Sequence, residues 1–381
     1  MPNMKITQLD LFSGIGGFHL GFEKAGFEVE SYFSEIDKYA IDVYSNNFKN
    51  AKYVGSVTDV RGGDLPKIDV ITFGSPCQDF SLAGKRKGLG GDRSSLISEA
   101  IRLIRDTRPS LFIWENVKGT FSSNNREDFA AILQEFANIG GYRLEWQLLN
   151  TKWFLPQNRE RIYLVGYLGE RSGCQVFPIG KSSNEIDELQ RQQANVCTLT
   201  TRYGANGNGS YITERKLDAQ EKVAILGYSR DAKGKVVNRN EKDTANTLHG
   251  SSGTGNNTDQ FVVNKTIRVV SANQRGYDEA KKGDSINLTD IGSKIRRGRV
   301  GDGVAQTLDT GCSQAVYQDK IRRLTPIECE RLQGFPDNWT QYGKEKGLIS
   351  DTQRYKMCGN AVTVNVVEAV ANKCKFIFKN A

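Results

Sequence analysis

Apolar and polar residues alternate along the chain in two different rhythms, and the change between them divides it. From residue 6 to about 168, short apolar runs with strand character recur at Ile6 to Phe12, Val29 to Phe33, Asp69 to Phe73, Leu111 to Trp114 and Arg161 to Tyr167. Between them lie stretches with apolar residues at helical spacing: Phe18, Phe22 and Ala25; Ile97, Ala100, Ile101 and Ile104; Phe129, Ile132, Leu133 and Phe136. Strands alternating with amphipathic helices predict a doubly wound α/β sheet. Gly26 is placed to end the first helix in a left-handed turn.

Between about 170 and 320 this rhythm gives way to Gly, Asn, Ser and Thr with short β-like runs, which predicts a second, smaller, loop-rich β domain. Within it the pairs Thr198-Leu199, Thr247-Leu248 and Thr307-Leu308 are each followed by polar residues and an apolar end. Three related units and a chance recurrence in Thr-rich sequence are both open readings. Regular patterning returns at Pro326 to Phe335, and a helical run from Val364 to Phe376 is expected to pack back on the first sheet. The predicted organisation is therefore 1–169, 170–335, a hinge at 336–354, and a returning C-terminal segment at 355–381.

The 381 residues allow one large core and a second unit. A mean hydropathy of -0.50 argues against a spanning segment, so no membrane partner is expected. Met1 to Asp10 show neither an export signal nor an Arg-rich targeting helix, which makes the cytoplasm the expected compartment. Seven cysteines without a Cys-x-x-Cys pair, beside two histidines, speak against a disulfide framework and against a metal site. A net charge of +8 suits a polyanionic partner without requiring one.

Four segments with chemistry lie at or near the carboxyl edge expected for the sheet. Asp10 to Gly17 follows a strand and opens a helix, a glycine-rich turn suited to a ligand, and Glu35 follows the second strand at the spacing of a ribose-binding acid. Gly74-Ser75-Pro76-Cys77-Gln78 ends another strand. The glycine-rich stretch from Asp79 to Arg93 carries Lys85, Arg86, Lys87 and Arg93, a composition fit to touch phosphate. Trp114-Glu115-Asn116-Val117 places a carboxyl at the end of the next strand, and Gln157-Asn158-Arg159-Glu160-Arg161 brings two guanidinium groups toward it. Taken one at a time, a tight turn, a small buried thiol, a solvated loop and a structural Glu–Arg pair explain each segment without catalysis.

Their order changes that. Phe12 to Gly17, Pro76-Cys77-Gln78, Glu115-Asn116-Val117, Gln157-x-Arg159-x-Arg161, Arg323-Leu324-Thr325-Pro326 with Arg331-Leu332-Gln333-Gly334-Phe335-Pro336, and Gly359-Asn360-Ala361-Val362 together resemble the C5-cytosine DNA methyltransferase family, in its compact bacterial or phage form. The resemblance covers residues 6–168 and 321–370. It implies a Rossmann-like fold that binds S-adenosylmethionine and releases S-adenosylhomocysteine, with no metal.

By that resemblance Phe12, Ser13, Gly14, Gly16 and Gly17 wrap the cofactor, Glu35 holds its ribose, Ile36 packs on its adenine, and Asn360 with Ala361 closes the pocket. Cys77 attacks C6 of a flipped-out cytosine, Glu115 bonds N3 and the exocyclic amine, Arg161 bonds O2, and Arg159 steadies the site. Gln78, Ser81, Lys85, Arg86 and Arg93, with Thr307, Leu308, Arg296 and Arg297 of the target-recognition region, contact double-stranded DNA. The basic cluster of that region also includes Lys294 and Arg299. Ser56 stands where the family often has an Asp for the adenine amino group, and Ala361 where it often has Ser. A monomer is expected, with a cognate restriction endonuclease as a further candidate partner. The rival readings are the same chemistry on transfer RNA, against which the long recognition segment weighs, and a catalytically silent DNA-binding relative, against which intact Cys77, Glu115, Arg159 and Arg161 weigh.

Overall fold

The computed structural model describes residues 4–75, 96–122, 127–168, 175–180, 266–289, 293, 295–318 and 320–378, and the short strands 224–226, 229–230 and 236–237. The chain divides into two units, one of residues 1–199 with 326–381 and one of residues 200–325. Both boundaries differ from those expected at 170 and 335, and the cause is packing. Val176, Phe177 and Ile179 are buried in the first unit's core. In the helix Pro326–Leu332, Glu330 is fully buried and its carboxylate accepts from the backbone N–H groups of Asn338 and Thr340 and from Arg354.

The first unit is built on a seven-stranded sheet. Its strands are β1 (Met4–Leu11), β2 (Phe27–Ser34), β3 (Lys52–Tyr53), β4 (Val70–Gly74), β5 (Leu111–Val117), β6 (Tyr142–Asn150) and β7 (Glu160–Leu168). They lie in the order β3-β2-β1-β4-β5-β7-β6, the first five parallel and β7 antiparallel to both its neighbours. Side chains alternate between two faces because successive Cβ atoms point oppositely along a strand. Ile6, Val70, Leu111, Ile113 and Val165 join one core, with Phe18, Phe22 and Ala25 from the α1 region (α1, Gly17–Lys24) and Val366, Val367, Val370 and Cys374 from the terminal helix Val364–Phe378. Leu9, Leu11, Ile71, Phe73, Phe112 and Trp114 join the other, under α3 (Leu96–Thr107) and the helix Glu127–Ala137. Helices on both faces leave the strand ends as the accessible edge, which is where such sheets hold their sites.

Between β2 and β3 the chain forms α2 (Lys38–Asn47), buried through Ala40, Val43 and Tyr44. The stretch 336–354, expected as a hinge, is anchored on this helix: the Asp42 carboxylate accepts from the N–H groups of Glu345 and Lys346 at 2.8 and 2.9 Å. The helix Asp351–Asn360 follows.

The second unit contains the hairpin Ile267–Val270 with Tyr277–Ala280 and a four-stranded sheet that includes Ser285–Asn287, Val300–Gly301, Gln314–Tyr317 and Ile321–Arg323. Its small core is Ile267, Val269, Ala280, Ile286, Ala315, Tyr317 and Ile321. Among the described residues no helix is long and apolar enough to cross a membrane.

Candidate active site at the carboxyl edge of the sheet

The edge is built from the ends of β1, β2, β4 and β5. After Leu11 the chain turns through two left-handed residues, Phe12 with φ 51° and Gly14 with φ 54°, and enters α1 from Gly16 with φ 85°. A Cβ on Gly14 would meet nothing within 4 Å, so this glycine faces open space. Gly16 and Gly17 answer to packing: a Cβ at 16 would strike the Phe48 ring, and one at 17 would lie 2.6 Å from Val362 Cγ2 and 3.0 Å from its carbonyl oxygen.

Glu35 braces this loop. Its Oε2 accepts the Gly14 N–H at 2.8 Å, and its Oε1 accepts the N–H groups of Ile36 and Asp37 at 2.8 and 2.9 Å. The carboxylate therefore ties the β1 turn to the β2 turn through charge-assisted bonds. Beside it Ile36 is 78% exposed, an unusual position for so apolar a side chain. Ser13 is buried, and its Oγ has no hydrogen-bond partner among the described residues. Ser56 lies just past Gly55 and bonds Thr58 Oγ1 at 2.9 Å. Asn360 is exposed at the end of its helix and Ala361 is buried. An open left-handed turn, an orphaned hydroxyl, a braced carboxylate and an exposed apolar side chain fit a nucleoside ligand.

Asp10, under the loop, is fully buried, and burial first, then Glu35, raises its pKa well above the usual value, against the Thr72 hydroxyl that donates to Oδ1 at 2.9 Å. Its Oδ2 has no hydrogen-bond partner among the described residues.

The other side of the edge follows β4 and β5. Glu115, next to Gly74 in register, is buried, and Arg161 Nε lies 3.2 Å from its Oε1. That approach is an ion pair without hydrogen-bond alignment, so Oε1 has no hydrogen-bond partner among the described residues. Gly74 leaves room for the carboxylate, since a Cβ there would sit 3.2 Å from Glu115 Oε2. Arg159 is buried, and its Nη1 and Nη2 donate to the carbonyls of Gly359 and Ala361 at 3.3 and 2.8 Å. Burial, then the charge of Arg161, lowers its pKa to about 10, while Glu115 opposes the shift. Burial also raises the pKa of the neighbouring Tyr163 phenol.

Cys77, Gln78, Ser81, Lys85, Arg86 and Arg93 lie outside the described residues, as do Lys294 and the Thr-Leu pairs at 198 and 247. The last described residue before Cys77 is Ser75. Trp114 Nε1 donates to its Oγ at 3.0 Å, and Asn116 Nδ2 to its carbonyl oxygen at 3.2 Å. Ser75 and Asn116, named in the sequence motifs without a role, thus define where the chain leaves the sheet. Gln333 was equally unassigned. Its Nε2 donates to the Cys358 carbonyl at 2.8 Å and its Oε1 accepts from Thr363, which fixes the loop bearing Asn360. A buried amide with two such partners leaves no periodic trace in a sequence.

In the second unit Arg296 and Arg297 are exposed, Thr307 is half-buried and Leu308 is buried. Arg299, grouped with the basic cluster by sequence, is only 1% exposed, and its Nη1 donates to the carbonyls of Asn287 and Thr289 at 3.2 and 2.8 Å. It belongs to the interior of that unit and not to a phosphate-gripping surface. Among the described residues no group of three or more His, Cys, Asp or Glu could hold a metal ion.

Residues 6–376 match the family described as C-5 cytosine-specific DNA methylase. The chain is 31% identical to the type II methyltransferase M.BanI of Aneurinibacillus aneurinilyticus, over 96% of its own length and 95% of that protein's. It is 28% identical to the orphan methyltransferase M.SPRI of Bacillus phage SPR, over 96% of each. Among solved structures, the Dnmt2 methyltransferase of S. pombe is similar with a TM-score of 0.55 at 18% identity, over 96% of this chain and 97% of that one, which bears on the fold alone. An ordered series of motifs and a match across nearly the whole length agree: the chain belongs to the C-5 cytosine-specific DNA methylase family.

Proposed function

We propose that this protein methylates carbon 5 of a cytosine flipped out of double-stranded DNA, using S-adenosylmethionine as donor and Cys77 as a covalent nucleophile. The observation that carries the reading is the Glu115–Arg161 pair at the end of β5, with Glu115 buried and Arg161 half-buried, beside the β4 terminus three residues before Cys77.

Cytosine C5 is a poor nucleophile. Addition of the Cys77 thiolate to C6 forms a C–S bond and pushes the ring electrons toward N3, where the Glu115 carboxyl stabilises them. C5 then has enamine character. Arg161 holds the O2 oxygen and keeps Glu115 oriented; loss of the C5 proton and expulsion of the thiolate restore the ring. Bound S-adenosylmethionine supplies an electrophilic methyl group. Phe12, Ser13 and Gly14 would line its site, Glu35 would accept from its ribose, and Ile36 and Asn360 would flank its adenosyl part. C6 is hidden inside a duplex, so the base must be extruded at a cost of a few kcal/mol. Target choice is assigned to the second unit, with Arg296 and Arg297 on DNA.

The test is incubation of the full chain with S-adenosylmethionine and unmethylated plasmid, followed by base-resolution sequencing of 5-methylcytosine, with Cys77→Ala in parallel. Methylation at a short recurring motif, absent in the variant, is expected. Two or more unrelated motifs would favour three related recognition units. Methyl transfer to RNA and none to DNA would replace the reading by one of transfer-RNA methylation.

A further inference from the structure

Lys356 Nζ lies 2.6 Å from Asp37 Oδ2, joining segments 319 residues apart in the chain. Asp37 caps α2, accepting the Tyr39 N–H on Oδ1 at 2.9 Å, so its two oxygens serve different partners. Its own N–H donates to Glu35 Oε1, and Glu35 Oε2 accepts from Gly14. A line of polar contacts thus runs from the glycine turn through Glu35 and Asp37 to Lys356. Ile36 sits beside Asp37, and Asn360 lies four residues beyond Lys356, one turn along the same face of its helix. The pair therefore ties together the two segments that carry the residues assigned to the adenosyl group. Asp37 foremost, and Glu35 after it, hold the lysine's pKa above its usual value.

We propose that Asp37 and Lys356 are positioning residues: their ion pair latches the helix bearing Asn360 to the turn bearing Ile36, and so sets cofactor affinity and makes it sensitive to salt. The inference rests on the proposed function. The side chains are 23% and 47% exposed, so the latch is open to screening by ions, which a fully buried pair would resist. An ion pair that served the fold alone would leave cofactor affinity unchanged.

The experiment is calorimetric titration of the full chain with S-adenosylhomocysteine, the unreactive product, for the wild type, Lys356→Gln, Lys356→Arg, Asp37→Asn and the Asp37→Asn/Lys356→Gln double variant. Asn keeps the capping oxygen while removing the charge. Each charge-removing single variant should bind about three- to five-fold more weakly, the range of a partly exposed pair. The double variant should be no weaker than either single, and Lys356→Arg should restore most of the loss. Turnover at saturating S-adenosylmethionine should stay within about two-fold of wild type, which makes the effect one on KM. Raising the salt from about 0.05 to 0.5 M should weaken wild-type binding and leave the charge-removing variants unaffected. Wild-type affinity in both single variants, or losses that add in the double, would overturn the latch alone. A wild-type protein that binds neither cofactor nor product would overturn the functional reading and the latch with it.

Discussion

Asn116 Nδ2 donates to the Ser75 carbonyl oxygen at 3.2 Å, two residues before Cys77. Asn116 Oδ1, of the same side chain, accepts from the Val117 N–H at 2.7 Å and from Thr120 Oγ1 at 3.0 Å, so one side chain sets the end of β5 and the exit from β4 together. Asn116→Ala leaves the buried Ser75 carbonyl without this donor, and a loss of about 1–3 kcal/mol is expected from urea unfolding. Methylation measured below the unfolding midpoint should fall by more than the unfolded fraction explains. A variant that lost stability but kept full specific activity would show that the exit geometry does not matter to the thiol.

Asp10 yields a pH dependence. Its folded pKa is raised by burial, so the folded state holds a proton that the unfolded chain has released above about pH 3.9. Stability from this group is complete below that value and is lost as pH rises through the folded pKa. Asp10→Asn keeps an acceptor for Thr72 and cannot ionise. The stability of the variant relative to wild type should therefore improve between about pH 5 and pH 8. Denaturation midpoints at the two pH values measure it, and a difference that does not change with pH would refute the assignment.

Arg297 and Arg299 are two residues apart and should behave as different kinds of residue. Arg297 is exposed, so Arg297→Ala should leave the fold intact and, if the side chain meets a phosphate, reduce the salt slope of DNA binding by about 1. Arg299→Met would strand the Asn287 and Thr289 carbonyls and should cost about 1–3 kcal/mol. Fluorescence anisotropy across a salt series, beside thermal melts, separates the two.

The glycine turn gives a parallel contrast. Gly17→Ala drives a Cβ onto Val362 and should destabilise the first unit by about 1–3 kcal/mol. Gly14→Ala has free space and pays mainly for its positive φ, about 1 kcal/mol, but places a methyl group where the cofactor is proposed to lie. Weaker binding of S-adenosylhomocysteine by Gly14→Ala than by Gly17→Ala, despite its smaller loss of stability, is the expected result.

Much of the sheet was legible because its central strands are continuous apolar runs: β4 and β5 are almost wholly buried and read as strands at sight. The edge strand β6 was not. Its polar residues Glu145 and Gln147 are occupied by the segment 175–180, Glu145 accepting from the Val176 and Phe177 N–H groups and Gln147 exchanging two bonds with the Ile179 backbone. Side chains that replace a missing strand erase the alternation by which a strand is recognised. The helix α2 escaped notice for a similar reason, since the acidic Asp42 in its middle is turned to receive a distant loop. Of the candidate site, Glu35, Glu115 and Arg161 stand out in the sequence as chemical types at the ends of strands, whereas Asn116, Gln333 and Lys356 act through partners far away in sequence. Arg299 shows the converse, a charge that reads as surface and is folded inside.

The first unit takes its material from both sides of the second. Trp339 Nε1 donates to the Ile15 carbonyl at 3.0 Å, and Val362 fills the space that Gly17 leaves. A chain emerging from the ribosome has therefore made its first glycine turn, and the whole of the second unit, before the neighbours of that turn exist. The order of synthesis separates the two in time: residues 200–325 are all translated before Trp339 and Val362, so a chain that stops within the second unit lacks two neighbours of the glycine turn.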